Sequence, residues 1–204
     1  MTTGRRRRGD LIGVALRLGR LLESEDYVLV GGLAVGVHGF VRASNGLEFM
    51  SRGPFSRARK LLREAGVETR VSRSEVREDE FTRVRGELDG VPFDILPPLV
   101  PVAQEAVIEV DIRGGTLRVV DLNGLLWLKL RAGSPVDLLD AARLVVLHPE
   151  TEARARDLAT AYRLLDQLEA WLRDPRIRAQ AAEEAERERR RTKKAPRRRV
   201  KPSA

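Results

Sequence analysis

The chain has 204 residues, no cysteine and a formal net charge of +8. This length is enough for one well-buried domain, with little left for a second. Without cysteine, disulfides and thiolate metal sites are excluded. No run approaches the roughly 20 apolar residues of a membrane span, and charged residues soon interrupt the basic N-terminus, which argues against a signal peptide. We therefore expect a cytoplasmic protein with no membrane partner.

The positive charge is concentrated at the two ends of the chain. Arg5–Arg8 supply four charges, and residues 183–204 contain ten basic and four acidic residues, whereas the rest has 24 basic and 26 acidic residues. Such blocks are usually solvated and disordered, and some bind nucleic acid. Neither end has interleaved aromatic residues that would stack on bases. We expect a basic N-terminal tail (1–9), a main domain (10–148), a helical extension (149–186) and a basic, disordered tail (187–204).

The first part of the chain alternates between helical and extended patterns. Asp10 can cap a helix whose apolar residues recur at helical spacing as far as Leu22. The apolar run Tyr27–Val30 predicts a buried strand that Gly31-Gly32 ends. We expect a short helix over 33–39 and a second strand over 47–50.

A third helix and four more strands are predicted before residue 121. Pro54 suits the first turn of a helix that Gly66 ends. The strands are expected at 67–71, 81–85, 91–96 and 116–120. Because proline donates no backbone hydrogen bond, Pro92 predicts an edge strand or an irregular one.

The pattern after Asp121 is helical. One helix contains Lys129, a second covers 138–146, and a single long helix is expected to present Leu158 through Leu172 on one face. A polar helix over 176–191 follows, and later prolines predict a loose end. Strands followed by helices indicate an α/β or α+β domain with a helical C-terminal extension.

The Gly31-Gly32 turn is the first functional signal. At the N-terminus of a helix, free backbone N–H groups can hold a phosphate, and a glycine lets a ligand approach without a β-carbon in the way. The turn matches neither the Walker pattern nor G-x-G-x-x-G. Because a Gly-Gly strand exit is common, the turn alone is weak evidence.

A more specific signal is the order of motifs between residues 27 and 147. The residues that carry it are Gly31-Gly32, His38-Gly39, Arg42, Ser44, Glu48, Asp94, Lys129, Asp137 and Asp140. In this order and spacing the chain resembles the nucleotidyltransferase superfamily, and within it the AbiEii-like and other minimal bacterial nucleotidyltransferases.

The resemblance implies a nucleotidyltransferase-like mixed sheet flanked by helices. It also implies Mg²⁺-dependent transfer of a nucleoside monophosphate from a nucleoside triphosphate to a hydroxyl of an acceptor. Members act on antibiotics, tRNA or partner toxins, which suggests a toxin–antitoxin or defence context. The resemblance implies metal ligands at Glu48 and Asp94, and nucleotide contacts at Gly31, Gly32, Arg42, Ser44 and Lys129.

The sequence departs from the family at the first metal ligand. The family has Asp-x-Asp, whose carboxylates project to one side of a strand, and here the two positions are Gly46 and Glu48. Two hypotheses follow. The protein is either a nucleotidyltransferase that uses Glu48 and Asp94, or an impaired relative that binds a nucleotide, a nucleic acid or a protein partner. If the missing carboxylate causes impairment, Gly46→Asp should restore transfer.

Several residues also have simpler interpretations. A charged Asp94 inside an apolar strand requires a metal or a basic partner. Arg42 suits a phosphate because of its planar fork, whereas Lys129 is equally consistent with a surface lysine. Asp137 and Asp140 are first interpreted as residues that the helix dipole favours. His38 is as consistent with packing as with function.

Overall fold

The centre of the fold is a mixed seven-stranded sheet. This computed structural model describes residues 10–51, 53–76, 79–98 and 107–194. The strands are β1 (Tyr27–Val30), β2 (Leu47–Ser51), β3 (Thr69–Val76), β4 (Asp79–Leu88), β5 (Val91–Leu96), β6 (Val107–Ile112) and β7 (Gly115–Val120). Their spatial order is β3-β4-β5-β2-β1-β7-β6. The β1–β7 and β2–β5 pairs are parallel, and the others are antiparallel.

Helices accompany the sheet and continue beyond it. They are α1 (Leu11–Leu21), α2 (Gly31–Val37), α3 (Phe55–Glu64), α4 (Leu122–Ala132), α5 (Pro135–Leu147), α6 (Glu152–Ala161), α7 (Leu165–Arg173) and α8 (Pro175–Lys194). The predicted α/β fold, a mixed sheet flanked by helices, is confirmed. In the described part of the chain, none of the helices is both long and apolar enough to cross a membrane.

The core lies between the central strands and the helices that pack on them. Leu29 and Phe49 of β1 and β2 are completely buried, as are Leu18 of α1 and Leu125 of α4. Each such side chain stabilises the fold by about 1.5–3 kcal/mol relative to an exposed one. The strand that precedes Gly31-Gly32 and the strand that contains Glu48 are therefore anchored in the core.

Two-residue turns fix the register of the β4–β5 and β6–β7 hairpins. Asp89 and Gly90 both have positive φ, at 52° and 78°, as a type I′ turn between β4 and β5 requires. The turn makes Leu88 and Val91 partners, and the register that follows sets Arg85 opposite Asp94. A shift by one residue would move these side chains to opposite faces.

The expectation that Pro92 marks an edge or irregular strand is wrong. β5 is a regular strand in the interior of the sheet, between β4 and β2. Because Leu88 and Val91 close the hairpin, the next pair, Glu87 and Pro92, falls at a non-hydrogen-bonded position. On the other side, pairing with β2 begins only at Phe93. Neither ladder therefore needs the missing N–H group.

The C-terminal half differs from the prediction in two further ways. The expected single helix is divided into α6 and α7, because the chain turns at Arg163, which has a positive φ of 57°. The predicted polar helix over 176–191 is present as α8 and extends to Lys194, so it overlaps the segment from residue 187 that was also expected to be a disordered tail. Residues 195–204 and 1–9 lie outside the described residues.

Candidate functional site

A cleft of about 1080 Å³ opens over one face of the sheet, bounded by β2 to β5 and by the α4–α5 segment. Its volume is in the range of small-molecule and cofactor sites. It collects six of the seven predicted site residues: Gly32, Arg42, Ser44, Glu48, Asp94 and Lys129. The seventh, Gly31, lies beneath the carboxyl group of Glu48. Tertiary structure thus brings together residues that are up to 98 positions apart in the sequence.

The floor of the cleft carries a row of charged residues that runs across neighbouring strands. Arg70 of β3 is the partner of Arg85 of β4, and Arg85 is the partner of Asp94 of β5. Asp94 is in turn the partner of Glu48 of β2. Directly opposed residues project to the same face about 4.5–5.5 Å apart, so sheet register alone places two cations beside two carboxylates.

Asp94 has two basic partners on the neighbouring strand β4. Its carboxylate accepts hydrogen bonds from Arg85 Nε at 2.8 Å and from Arg83 Nη1 at 3.1 Å. The side chain is 13% exposed, and two guanidinium groups therefore neutralise a largely buried charge. Of the two alternatives for Asp94, a metal or a basic partner, the structure contains the second.

The pattern Arg83-Val84-Arg85 was overlooked in the sequence. Its two arginines are separated by one residue, so in a strand they project to the same side, while Val84 is buried on the other. This alternation was the available signal. It becomes informative only once β4 is known to pair with the strand of Asp94.

Glu48 differs from its neighbour because no described residue hydrogen-bonds to its carboxylate. The side chain is open to the cleft but has protein on its other sides, and this partial desolvation is the main reason why its pKa is raised. Asp137 and Asp94 raise the pKa further, whereas Lys129 and Arg42 lower it. Burial and the neighbouring carboxylates therefore make Glu48 harder to ionise than a free glutamate side chain.

The Gly31-Gly32 turn is needed for close packing within the chain itself. Gly31 has a positive φ of 69°, and a β-carbon there would lie 1.7 Å from Glu48 Oε2. A β-carbon at Gly32 would lie 3.0 Å from Arg42 Nη2 and 3.1 Å from Ser44 Oγ. The two glycines therefore let the start of α2 meet the side chains of Glu48, Arg42 and Ser44.

Arg42 and Lys129 converge on Asp140, which is fully buried in α5. Arg42 Nη2 donates to Asp140 Oδ2 at 2.8 Å, and Lys129 Nζ lies 3.0 Å from the same oxygen. Lys129 Nζ also donates to Asp137 Oδ1 at 2.8 Å. Burial alone would lower the pKa of Lys129, but Asp137 and Asp140 outweigh burial and raise it.

This network corrects two sequence interpretations. Lys129 is a buried ion-pair partner, 7% exposed, rather than a surface lysine. Asp140 is the hub of the network, because it pairs with Lys129 of α4 and with Arg42 in the segment before β2. Its role is therefore to connect these segments to α5, and not only to interact with the dipole of its own helix. Asp137 does lie in the first turn of α5, where its backbone N–H donates to the N-cap residue Ser134.

His38 lies outside the cleft, where it connects secondary-structure elements. Its Nε2 is 2.8 Å from the carbonyl oxygen of Val120, and its own carbonyl oxygen is 2.9 Å from His148 Nε2. Burial is the main reason why the pKa of His38 is lowered, and the contact with the Val120 carbonyl acts in the opposite direction. The two histidines connect the end of α2 to β7 and to the end of α5.

The carboxylates of the cleft do not fit a pair of Mg²⁺ ions. Residue 46 has no side chain, and Asp94 is held by two arginines. In the segments that the structure describes, no group of three or more His, Cys, Asp or Glu residues is arranged to hold a metal. Of the two carboxylates on the floor, Glu48 is the one that has no arginine partner among the described residues and could contact a cation.

Comparison with known proteins supports the fold assignment. No protein-family model matches the sequence, and no curated protein is significantly similar to it. Among solved structures, a candidate nucleotidyltransferase from Thermotoga maritima matches with a TM-score of 0.52 at 15% identity, over 60% of this chain and 84% of the other. ANT(2″)-Ia in complex with adenylyl-2″-tobramycin matches with a TM-score of 0.51 at 14% identity, over 75% of this chain and 95% of the other. The chain therefore has a nucleotidyltransferase-like fold.

Proposed function

We propose that the cleft binds the phosphates of a nucleoside triphosphate and that the protein is impaired in nucleotide transfer. The observation that carries the proposal is the convergence of Gly32, Arg42 and Ser44 at one end of the cleft. A backbone N–H, a guanidinium and a hydroxyl are the donors that proteins use to hold phosphate. The cleft is also large enough for a nucleotide.

Impairment is proposed from the state of two of the three positions at which the family has a metal ligand. Gly46 provides no carboxylate, and Asp94 is engaged by Arg83 and Arg85. Transfer requires that the reacting groups are positioned accurately with respect to each other. A misplacement of about 1 Å can reduce the rate about 100-fold. The Mg²⁺ requirement that the resemblance implies is therefore not part of this proposal.

The test is calorimetric titration with ATP, CTP, GTP and UTP, each with and without Mg²⁺. We expect heat from at least one of them, and Arg42→Lys should weaken binding by about 1–3 kcal/mol, because an ammonium loses the paired geometry of the guanidinium. Arg42→Lys is preferred to alanine because it keeps a charge beside the buried Asp140. Absence of heat with all four nucleotides at millimolar concentration would contradict the proposal.

Nucleotidyl transfer is the second candidate function, and the side-by-side position of Glu48 and Asp94 favours it. Transfer in this cleft would require Arg83 and Arg85 to release Asp94. We would then expect label to pass from an α-labelled triphosphate to an acceptor or to the protein, and to be lost in both Glu48→Gln and Asp94→Asn. An AbiEii-like role in defence, with a nucleic acid or protein as the acceptor or partner, belongs to this second candidate.

A further inference from the structure

Two arginines face each other on the floor of the cleft without a carboxylate between them. Arg70 and Arg85 are direct partners on β3 and β4, and both line the cleft. None of the described carboxylates forms an ion pair with Arg70, although Glu68 and Glu87 lie on the same wall. Like charges at directly opposed positions repel, and because Asp94 pairs with only Arg85 of these two, a bound anion would mainly compensate Arg70.

Arg85 is oriented by its contact with Asp94 and still has donors to spare. It donates to Asp94 from Nε at 2.8 Å and from Nη2 at 3.5 Å, and its side chain is 40% exposed. A guanidinium has five N–H donors, so this contact leaves several unused. An arginine that is held on one side and open on the other is preorganised to bind an oxyanion.

The arginine contacts also make Asp94 a poor ligand for a cation. Its Oδ1 accepts from Arg85, and its Oδ2 accepts from Arg83 at 3.1 Å. A magnesium ion requires carboxylate oxygens at about 2.0–2.1 Å in octahedral geometry, and the two guanidinium charges beside Asp94 oppose its binding there. The two arginines thus supply beside Asp94 the positive charge that a metal would otherwise bring.

We propose that Arg70 and Arg85 form a phosphate-binding subsite that needs no divalent cation. The subsite lies on the β3–β4 side of the cleft, across the floor from Glu48. Because Glu68 and Glu87 offset its charge, binding depends on directed N–H donors and not on a strong local field. If the cleft holds a nucleoside triphosphate, as proposed above, this subsite receives part of its phosphate chain.

The experiment is titration of the full chain with inorganic tripolyphosphate in the presence of EDTA, followed by ATP under the same conditions. Arg70→Gln should weaken tripolyphosphate binding about tenfold or more, since one charged hydrogen bond is lost. The fold should tolerate this change because Arg70 is exposed and has no ion pair with a described residue. Arg178→Gln, which removes an equally exposed arginine of α8 outside the cleft, is the matched control and should bind as the natural chain does.

A second measurement tests the cation directly and uses no nucleotide. Titration with Mn²⁺, followed by electron paramagnetic resonance, should give no saturable binding below millimolar concentration in the natural chain. In the double variant Arg83→Met, Arg85→Met, one Mn²⁺ should bind, and Glu48→Gln should remove it again. Saturable Mn²⁺ binding by the natural chain that disappears in Asp94→Asn would overturn the proposal.

The outcomes separate this subsite from the proposed function. If tripolyphosphate binds and depends on Arg70 while ATP does not bind, the subsite stands and nucleotide binding is wrong. If ATP binds equally well before and after Arg70→Gln, nucleotide binding stands and the subsite is wrong. If tripolyphosphate binds only when Mg²⁺ is added, metal independence is wrong.

Discussion

Gly46 lies directly against Pro92, so that a β-carbon built on Gly46 would be 2.8 Å from the carbonyl oxygen of Pro92. The neighbouring atom belongs to the backbone of an interior strand, which cannot move aside as a flexible side chain can. The glycine at the first metal position is therefore also a packing requirement of this chain. This contact changes the expected result of restoring an aspartate.

We expect Gly46→Asp to destabilise the protein and to give no gain in nucleotide transfer. The added β-carbon forces β2 and β5 apart at the start of their ladder, at a cost of about 1–3 kcal/mol. Urea unfolding and transfer from an α-labelled triphosphate measure the two effects. Gly36→Ala is the control, because a β-carbon there meets no atom within 4 Å. A stable Gly46→Asp variant with new transfer activity would support the simpler view that only a carboxylate is missing.

Removing the hub of the buried network should cost more than any other change at the site. Asp140→Ala leaves Arg42 and Lys129 without their shared carboxylate. Breaking a buried ion pair from one side typically costs about 3–5 kcal/mol, which urea unfolding measures. Asp166→Ala, which removes an exposed carboxylate of α7, should cost less than about 1 kcal/mol. Equal losses in the two variants would mean that the network contributes little.

The raised pKa of Glu48 predicts how its contribution to stability varies with pH. The folded chain holds the proton of Glu48 more tightly than the unfolded chain, so ionisation is a cost to the folded state. As the pH rises above the ordinary value of 4.5, the natural chain should lose stability relative to Glu48→Gln, until the folded carboxyl has also ionised. Melting temperatures of both chains across this range test the prediction. If the melting temperature of the natural chain instead rose relative to that of Glu48→Gln with increasing pH, the prediction would be wrong.

The basic end of α8 provides a test of nucleic-acid binding. If residues 187–204 bind RNA or DNA, affinity should fall steeply with salt because neutralised phosphates release counterions. A chain that ends at Glu186 should then lose this binding and keep its melting temperature, because the α8 residues buried in the core, Ile177 and Ala181, are retained. Unchanged affinity after truncation would place any nucleic-acid binding elsewhere.

Much of the local structure could be predicted from the sequence because local rules govern it. The strands Tyr27–Val30 and Val91–Leu96 have the bounds that their apolar runs predict. Gly66, with a positive φ of 73°, ends α3 as expected. The strand β6 was missed although its sequence alternates, because its charged residues and its edge position give no apolar run. Its pairing with β7 is what makes it a strand.

The sequence by itself predicted the fold class and seven residues that gather at the cleft, because the order of its motifs resembles that of a known superfamily, but it did not predict Arg70 and Arg85 there. Only the tertiary structure decided what those residues do to one another. The sheet register set Arg85 beside Asp94, and the packing of α4 against α5 made Asp140 the partner of both Lys129 and Arg42. Charge pairing depends on distances of a few ångströms between residues far apart in the chain. No local pattern specifies such distances, so the two arginines that contact Asp94 could not be assigned to it from the sequence.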